Sequence, residues 1–307
     1  MPTKPLETIL YRELSMAQGQ DSIQTASTVL QEVVNYSTNV FARCATSASG
    51  EESIPVPLLY LHMIEMTDSI EVLITKSCAV PAKLLLRSSF EALLAIEYML
   101  EEKYTLRTLS WLHFYMRKRL ALYRSHDSST VEGKHLRRRL DDDKIVGAAK
   151  LEYPPEFDDF IQNYEDRLAS PKFRLVQDEI DRYRRENTRR PRQWYQLFGP
   201  PHPQKTPQNL EQFASHLKRG GMYEVLYREW SSIQHAVAPS RYIATTDKGI
   251  QAVRALRDPS QIVTVASFAT TFMVNATRLV LQKFRPGEEA SFAKWCMQEV
   301  QTPQSQL

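Results

Sequence analysis

Hydrophobic residues recur along most of this chain at the three- and four-residue spacing of helices that bury one face. The stretch 84–100, LLLRSSFEALLAIEYML, is apolar on nearly all sides, which predicts a helix at the centre of a bundle. Pro55 and Pro57 predict the start of the helix before it, so 58–76 and 82–101 should form an antiparallel hairpin. The same spacing predicts further helices over 5–17, 21–46, 105–126, 155–169, 171–187, 209–219, 222–236, 259–284 and 287–301.

Few residues interrupt this helical pattern. Asp21 is expected to cap the helix that follows it, and Gly220–Gly221 to close helix 209–219. The stretch 240–249, SRYIATTDKG, is the one place where a short extended segment is expected. Nine glycines in 307 residues, with no glycine-rich phosphate loop, argue against sandwiches, barrels and nucleotide binding through such loops.

The sequence therefore predicts an all-α protein, a multi-helix bundle with a charged helical insertion. We expect a single domain over 1–307, without internal repeats. Its core is expected over about 56–126 and 208–301, and the charged middle segment over 127–207.

Charge is concentrated locally, because the net charge of the whole chain is only +3. The stretch 134–144, KHLRRRLDDDK, sets three arginines against three aspartates and is typical of a solvated helix face. The stretch 182–192, RYRRENTRRPR, is followed by Trp194 and Tyr195. It predicts either a patch that tracks phosphates beside stacking aromatics or a solvated connector. In the first interpretation Arg184, Arg185 and Arg189 bind substrate.

Several features favour a cytoplasmic location. Cys44, Cys78 and Cys296 show no paired spacing, as expected of core residues in a reducing compartment. Residues 1–18 contain acids and no continuous apolar core, unlike a secretory signal. Residues 259–277 lack charges but hold many small polar residues, so we expect a buried helix there and not a membrane span.

Two groups of polar residues stand out against this apolar background. Arg87 and Glu91 share one face of the central helix, either as an ion pair at the bundle edge or as a polar site within the core. Tyr227, Ser231 and His235 are spaced i, i+4, i+8 on another helix. They form either a satisfied core network or a row of acid–base groups.

These two motifs, R-x-x-x-E and then Y-x-x-x-S-x-x-x-H near a proline, resemble those of bacterial proteins in domain-of-unknown-function family 5677. The resemblance covers about residues 56–240, and the linking stretch 194–223 fits it as well. Such proteins often accompany phage-defence or toxin genes and look distantly similar to HEPN (higher eukaryotes and prokaryotes nucleotide-binding) proteins. The resemblance implies a HEPN-like core and a metal-independent ribonuclease.

The arginine–histidine spacing of HEPN ribonucleases, R-x(4–6)-H, carries no weight by itself. It occurs three times here, where about two matches are expected by chance. The positions shared with the family are better candidates. In a ribonuclease, His235 would transfer protons, and Arg87 or Arg228 would stabilise the phosphorane charge. Glu91 would orient the arginine, while Tyr227 and Ser231 would bind phosphate.

Neither a cofactor nor a metal ion is expected in this mechanism. The candidate partners are RNA, a protein partner or antitoxin, and a second copy of the chain in a homodimer, but no membrane. We also predict that Arg87, Glu91 and His235 lie in one hydrogen-bonded network.

Two other functions stay open. One is a non-enzymatic helical module that binds a protein partner or a nucleotide signal. The other is a metal-dependent phosphohydrolase, with ligands drawn from His62, Asp68, Glu91 and His235.

Overall fold

The computed structural model describes residues 4–47, 49–144, 153–199, 206–235, 242–245 and 251–304. Regular structure within these ranges is almost entirely helical, which confirms the predicted all-α class. The helices are α1 (Glu7–Leu10), α2 (Arg12–Gln18), α3 (Gln20–Ala45), α4 (Pro55–Thr75), α5 (Ala79–Glu101), α6 (Tyr104–His126), α7 (Val131–Asp141), α8 (Glu156–Ala169), α9 (Arg174–Asn187), α10 (Leu210–His216), α11 (Gly220–Met222), α12 (Arg228–Gln234), α13 (Ile262–Phe284), α14 (Glu289–Trp295) and α15 (Thr302–Gln304).

The chain divides into two compact units. Unit 1 consists of Met1–Glu102 and Leu210–Leu307, and unit 2 of Lys103–Asn209. The predicted charged segment 127–207 falls within unit 2, but this unit begins earlier and takes in α6, which the sequence assigned to the core. A single domain stays a prediction, because two compact units can fold together or separately.

The core of unit 1 is formed by α3, α4, α5 and α13, which pack against one another. Helices α4 and α5 form the predicted hairpin, and Leu86, Phe90 and Leu94 of α5 are fully buried or nearly so. Helix α13, with the short turn before it (Pro259–Phe284), is apolar and long enough to cross a membrane, but it is half buried inside the unit. It packs as the core helix of a soluble protein does, as its small polar residues predicted.

Unit 2 is built on α6, which packs against α7, α8 and α9. Leu109, Leu112 and Met116 on one face of α6 meet Val176 and Ile180 of α9 in a small apolar core. These core residues are spaced three or four positions apart, which is the spacing that predicts a helix with one buried face. The exposed arginines Arg138 and Arg139 lie on α7, as a solvated helix face requires.

Three predicted helix ends are wrong. The first helix is interrupted at Tyr11, which has a positive φ of 56° and separates α1 from α2. Gly19, not Asp21, precedes α3, and Asp21 lies in its first turn, where a carboxylate favours the helix dipole. Helix α10 ends at His216 because Lys218 takes the left-handed conformation (φ 58°) expected of a glycine, and Gly220 then begins α11.

The expected extended segment is present. Ile243–Thr245 (β1) pairs antiparallel with Gln251–Val253 (β2), with Ile243 opposite Val253. The remainder of the predicted stretch, residues 240, 241 and 246–249, lies outside the described residues.

Candidate functional site

In unit 1, the residues after 210 run antiparallel to α5, and a series of ion pairs fixes this alignment. His216 Nε2 lies 3.3 Å from Glu101 Oε2, and Arg219 Nη2 lies 2.5 Å from Glu97 Oε1. One end of α12 is held by Lys83, whose Nζ is 2.5 Å from Glu229 Oε1. As residue numbers rise along this segment, the numbers of their partners on α5 fall. The tyrosine of the second motif therefore lies beside the R-x-x-x-E of the first.

Tyr227 joins the two motifs through its hydroxyl. Arg87 Nε donates to the Tyr227 hydroxyl at 2.9 Å, and that hydroxyl donates to Glu91 Oε1 at 2.7 Å. Arg87 Nε and Glu91 Oε1 are 3.3 Å apart, which is the expected i, i+4 ion pair. The arginine also lies over the tyrosine ring, 4.8 Å from its centroid. The pair is thus an ion pair within α5 at the partly exposed edge of the bundle, and Tyr227 adds a third member to it.

Burial makes Tyr227 a fixed hydrogen-bond donor. The residue is only 5% exposed, and this burial, followed by the contact with Glu91, raises the pKa of its hydroxyl. The hydroxyl is therefore protonated at neutral pH. The Arg87 side chain is 18% exposed and that of Glu91 44%, so the network opens to solvent on the carboxylate side.

One donor of this network is unused. Arg87 Nη1 is buried and has no hydrogen-bond partner in the part of the chain that the structure describes. Leaving a charged donor unpaired is costly, so such a group commonly has a ligand or water as its partner. The arrangement can accept an anion, because it offers a guanidinium N–H beside a neutral tyrosine.

A π-helical turn precedes α12 and carries the tyrosines. Residues Tyr223–Tyr227 form this turn, in which the two rings stack with their centroids 5.0 Å apart. Single π turns are rare and often mark functional sites. Nothing in the sequence predicted it, because the spacing of Tyr223 and Tyr227 is the same as on an ordinary α-helix.

His235 and Ser231 lie further along the same segment. His235 ends α12 as an exposed residue, eight positions after Tyr227, which is about 12 Å along a helix. Because the segment runs antiparallel to α5, this displacement leads away from Glu91. Among the described residues neither the His235 side chain nor that of Ser231 makes a hydrogen bond. The structure thus brings together Arg87, Glu91 and Tyr227 but leaves His235 outside their network.

Arg228 is engaged elsewhere. Its Nε lies 3.0 Å from Glu224 Oε2 and its Nη2 lies 3.3 Å from Glu211 Oε2, with the side chain 56% exposed. Its neighbour Glu229 does not pair with it but with Lys83. No spacing in the sequence predicts the Lys83–Glu229 pair, because the two residues are far apart along the chain.

The remaining candidates fall into two groups. In unit 2, Arg184 Nη1 lies 3.6 Å from Asp181 Oδ1, while Arg185 and Arg189 are exposed. In unit 1, His62 Nε2 is hydrogen-bonded to Ser88 Oγ at 2.8 Å. No cluster of three His, Cys, Asp or Glu side chains able to hold a metal ion occurs within the described ranges.

Comparison with known proteins gives one result. A family model described as "Family of unknown function (DUF5677)" matches residues 54–250, more than half of the chain. The match includes both motifs and the whole Arg87–Tyr227–Glu91 network. No curated protein and no solved structure matches the chain.

Proposed function

Because the chain belongs to the DUF5677 family, whose function is unknown, we propose its activity from its own site. The protein is proposed to be a HEPN-like ribonuclease of a bacterial defence or toxin system, which acts in the cytoplasm and cleaves RNA without a metal ion. The observation that carries this proposal is the buried, unpaired Nη1 of Arg87 beside the neutral hydroxyl of Tyr227. A guanidinium with a free N–H is well suited to bind a phosphate oxygen.

The cleavage is an attack of a ribose 2′-oxygen on the adjacent phosphorus. The new O2′–P bond forms as the P–O5′ bond breaks, which leaves a 2′,3′-cyclic phosphate and a free 5′-hydroxyl. In this step Arg87 stabilises the charge on the phosphorane oxygens. Tyr227, whose hydroxyl proton is donated to Glu91, holds the guanidinium in place by accepting from its Nε. Glu91 fixes both side chains through the contacts already described.

The proton transfers require a base for the 2′-hydroxyl and an acid for the 5′-oxygen. His235 is the proposed acid–base group, but it lies about two helical turns from Tyr227. Glu91 is closer to the phosphate site and half exposed, so it is the competing base. Ser231 lies one helical turn beyond Tyr227, between Tyr227 and His235. An RNA strand that runs along α12 would pass it.

The first prediction concerns cutting in the presence of EDTA. A single-stranded RNA should be cleaved to cyclic-phosphate ends. Tyr227→Phe should slow this cleavage by about a hundredfold, because Arg87 loses the hydroxyl that holds it, and a small misplacement of a catalytic group has an effect of that size. Tyr223→Phe is the matched control, because it stacks on Tyr227 but its hydroxyl makes no hydrogen bond in the described part of the chain. Rates are measured at saturating enzyme with end-labelled RNA.

The same assay separates the two candidate bases. Loss of cutting in His235→Ala, but not in Glu91→Gln, would assign proton transfer to the histidine. If cutting is lost only in Glu91→Gln, the pH–rate profile decides: loss of its acidic limb assigns the base to Glu91, whereas a lower rate at every pH assigns Glu91 to positioning. No cutting of any RNA at micromolar enzyme would contradict the proposal and favour a binding module. Cutting that disappears with EDTA would favour the metal-dependent phosphohydrolase.

A further inference from the structure

Unit 2 contains a cavity that none of the preceding chemistry uses. It has a volume of about 270 Å³ and lies between α6 and α9 with the residues that follow α9. Among the described residues no carboxylate lines it, but four basic side chains do: Arg117, Lys118, Arg184 and Arg190. Two of them come from α6 and two from the 182–192 stretch, so packing assembles the group from distant parts of the chain.

Most of this positive charge is not neutralised. Within the described residues Arg117, Lys118 and Arg190 form no ion pair, and Arg184 has only the 3.6 Å contact with Asp181. The charge of nearby Arg182, by contrast, is neutralised. Its Nη2 lies 2.6 Å from Glu179 Oε1 and its Nη1 lies 2.8 Å from Glu186 Oε1. Burial and the charge of Arg190 lower the pKa of Arg117, as expected for cations that face one another without an acid.

The rest of the described cavity wall is mostly apolar, with Gln177 as a polar side chain and one polar atom that is unpaired among the described residues. Phe114, Ala121, Ile180 and Pro191 provide the apolar surface. His113 also lines the cavity, although it is only 4% exposed, and its Nδ1 is buried without a hydrogen-bond partner among the described residues. A buried ring nitrogen of this kind is suited to bind a polar group of a ligand.

We propose that this cavity binds a 5′-phosphorylated nucleoside. The phosphate would lie among the four cations, and the sugar and base would lie against the apolar wall and His113 Nδ1. The cavity volume of about 270 Å³ is just below the usual range for ligand sites, roughly 300–1,000 Å³, so it admits at most one nucleotide. Arginine binds phosphate through paired N–H groups, and an inorganic anion alone would leave the apolar wall uncovered.

The ligand has two sources with the same chemistry. It is either a free mononucleotide or the 5′-terminal nucleotide of an RNA strand. The site lies entirely within unit 2 and does not depend on the proposed ribonuclease activity of unit 1. Failure of one proposal therefore leaves the other standing.

Calorimetry on the full chain tests the site with adenosine 5′-monophosphate, adenosine and inorganic phosphate. We expect the monophosphate to bind more tightly than either of the others. Arg117→Ala and Arg190→Ala should each weaken its binding by about tenfold or more, since a charge-assisted hydrogen bond contributes roughly 1.5–3 kcal/mol. Arg174→Ala is the matched control, because Arg174 is an exposed arginine of α9 outside the cavity.

A second pair of ligands distinguishes the sources. A short oligouridylate with a 5′-phosphate is compared with the same strand ending in a 5′-hydroxyl. Preference for the phosphorylated strand, lost in Arg117→Ala, assigns the site to RNA ends, whereas binding of the mononucleotide alone assigns it to a free nucleotide. The proposal is overturned if no phosphorylated nucleoside binds, if inorganic phosphate binds equally well, or if Arg117→Ala and Arg190→Ala bind like the wild type.

Discussion

His113 shows at the scale of one residue how packing changes chemistry. It lies on the buried face of α6, between the rings of Phe114 and Phe173, and next to the cationic Arg117. Burial first, and then the charge of Arg117, lower the pKa of its imidazole from 6.5 to about 4. The ring is therefore neutral in the folded protein at every physiological pH.

This shift predicts a loss of stability in acid. Between pH 6.5 and 4 the unfolded chain binds a proton that the folded chain does not, so the free energy of unfolding falls as the pH falls through this window. Above pH 6.5 the penalty is absent. From pH 7.5 to pH 5 it should reach about 2 kcal/mol. Urea unfolding of the wild type and of His113→Gln measures it.

The comparison between the two proteins isolates the histidine from other titrating groups. In His113→Gln the stability at pH 7.5 is expected to be lower, but the additional acid loss should be absent. An equal loss in both proteins between pH 7.5 and pH 5 would contradict the assigned burial of a neutral ring.

At this scale the sequence predicted which residues share a helix face but not what lies opposite them. The i, i+4 spacing of Arg87 and Glu91 was sufficient to predict their ion pair. The insertion of Tyr227 between them depends on the alignment of two helices more than a hundred residues apart. The sequence places His113 only in one of the three R-x(4–6)-H matches, the one that begins at Arg107. Its burial could not be predicted, because the ring packs against Phe173 on another element.

Among the elements, the segment after residue 210 is held to α5 by an ion pair that is largely buried, whereas other ion pairs lie within the segment itself and are more exposed. The contact of Arg219 with Glu97 has two hydrogen bonds, at 2.5 and 3.2 Å, and the Glu97 side chain is only 13% exposed. The contacts of Arg228 with Glu224 and Glu211 are about half exposed. Solvent screens the second set far more than the first.

We predict that the two arginines differ in their contribution to stability. Arg219→Met leaves Glu97 partly buried without its cation and should lower the free energy of unfolding by about 2–3 kcal/mol. Arg228→Met is the matched control and should cost less than about 1 kcal/mol. Chemical denaturation of both variants, together with the double-mutant cycle of Arg219→Met and Glu97→Gln, measures the difference. Equal costs would mean that the buried pair does not hold this segment to α5.

Element types were easier to predict than their ends. The long apolar helices follow from spacing alone, because one face of each must be buried whatever its partner is. Ends depend on single residues: Lys218 adopts the left-handed conformation in place of Gly220, and Tyr11 does so within the predicted first helix. The π turn at Tyr223–Tyr227 could not be predicted from the sequence, because it differs from an α-helix in its backbone hydrogen bonds and not in its residue spacing.

For the whole molecule, charge is distributed unevenly between the units. Unit 2 carries 22 Lys and Arg against 15 Asp and Glu, a net charge of +7, and the rest of the chain therefore carries −4 of the total +3. A polyanion is attracted more strongly to unit 2 than to unit 1, where the proposed phosphate site depends on the local charge of Arg87. The net charge of +3 for the whole chain does not reveal this asymmetry, because the opposite charges of the two units largely cancel.

Salt dependence should reveal which arginines meet RNA. Replacing Arg184, Arg185, Arg189 and Arg190 together by alanine should weaken the binding of single-stranded RNA. It should also flatten the log–log slope against salt by about 0.7 for each lost phosphate contact, up to roughly 3. Stability should change little, because these side chains are exposed. Arg138→Ala with Arg139→Ala is the control on α7, and an unchanged slope in the fourfold variant would identify 182–192 as a solvated connector.

The division of unit 1 into two chain segments sets an order of events during synthesis. Helix α5 is complete at Glu101, but α12 and α13, which cover it, begin only at Arg228 and Ile262. At a translation rate of about 5–20 residues per second, the interval to the start of α13 lasts roughly 10–30 s. Of the described helices that pack against α5, only α4 is complete for most of that time, so much of the apolar surface of α5 stays uncovered. We expect chaperone capture in this interval, and not the stability of the finished fold, to limit the yield of native protein.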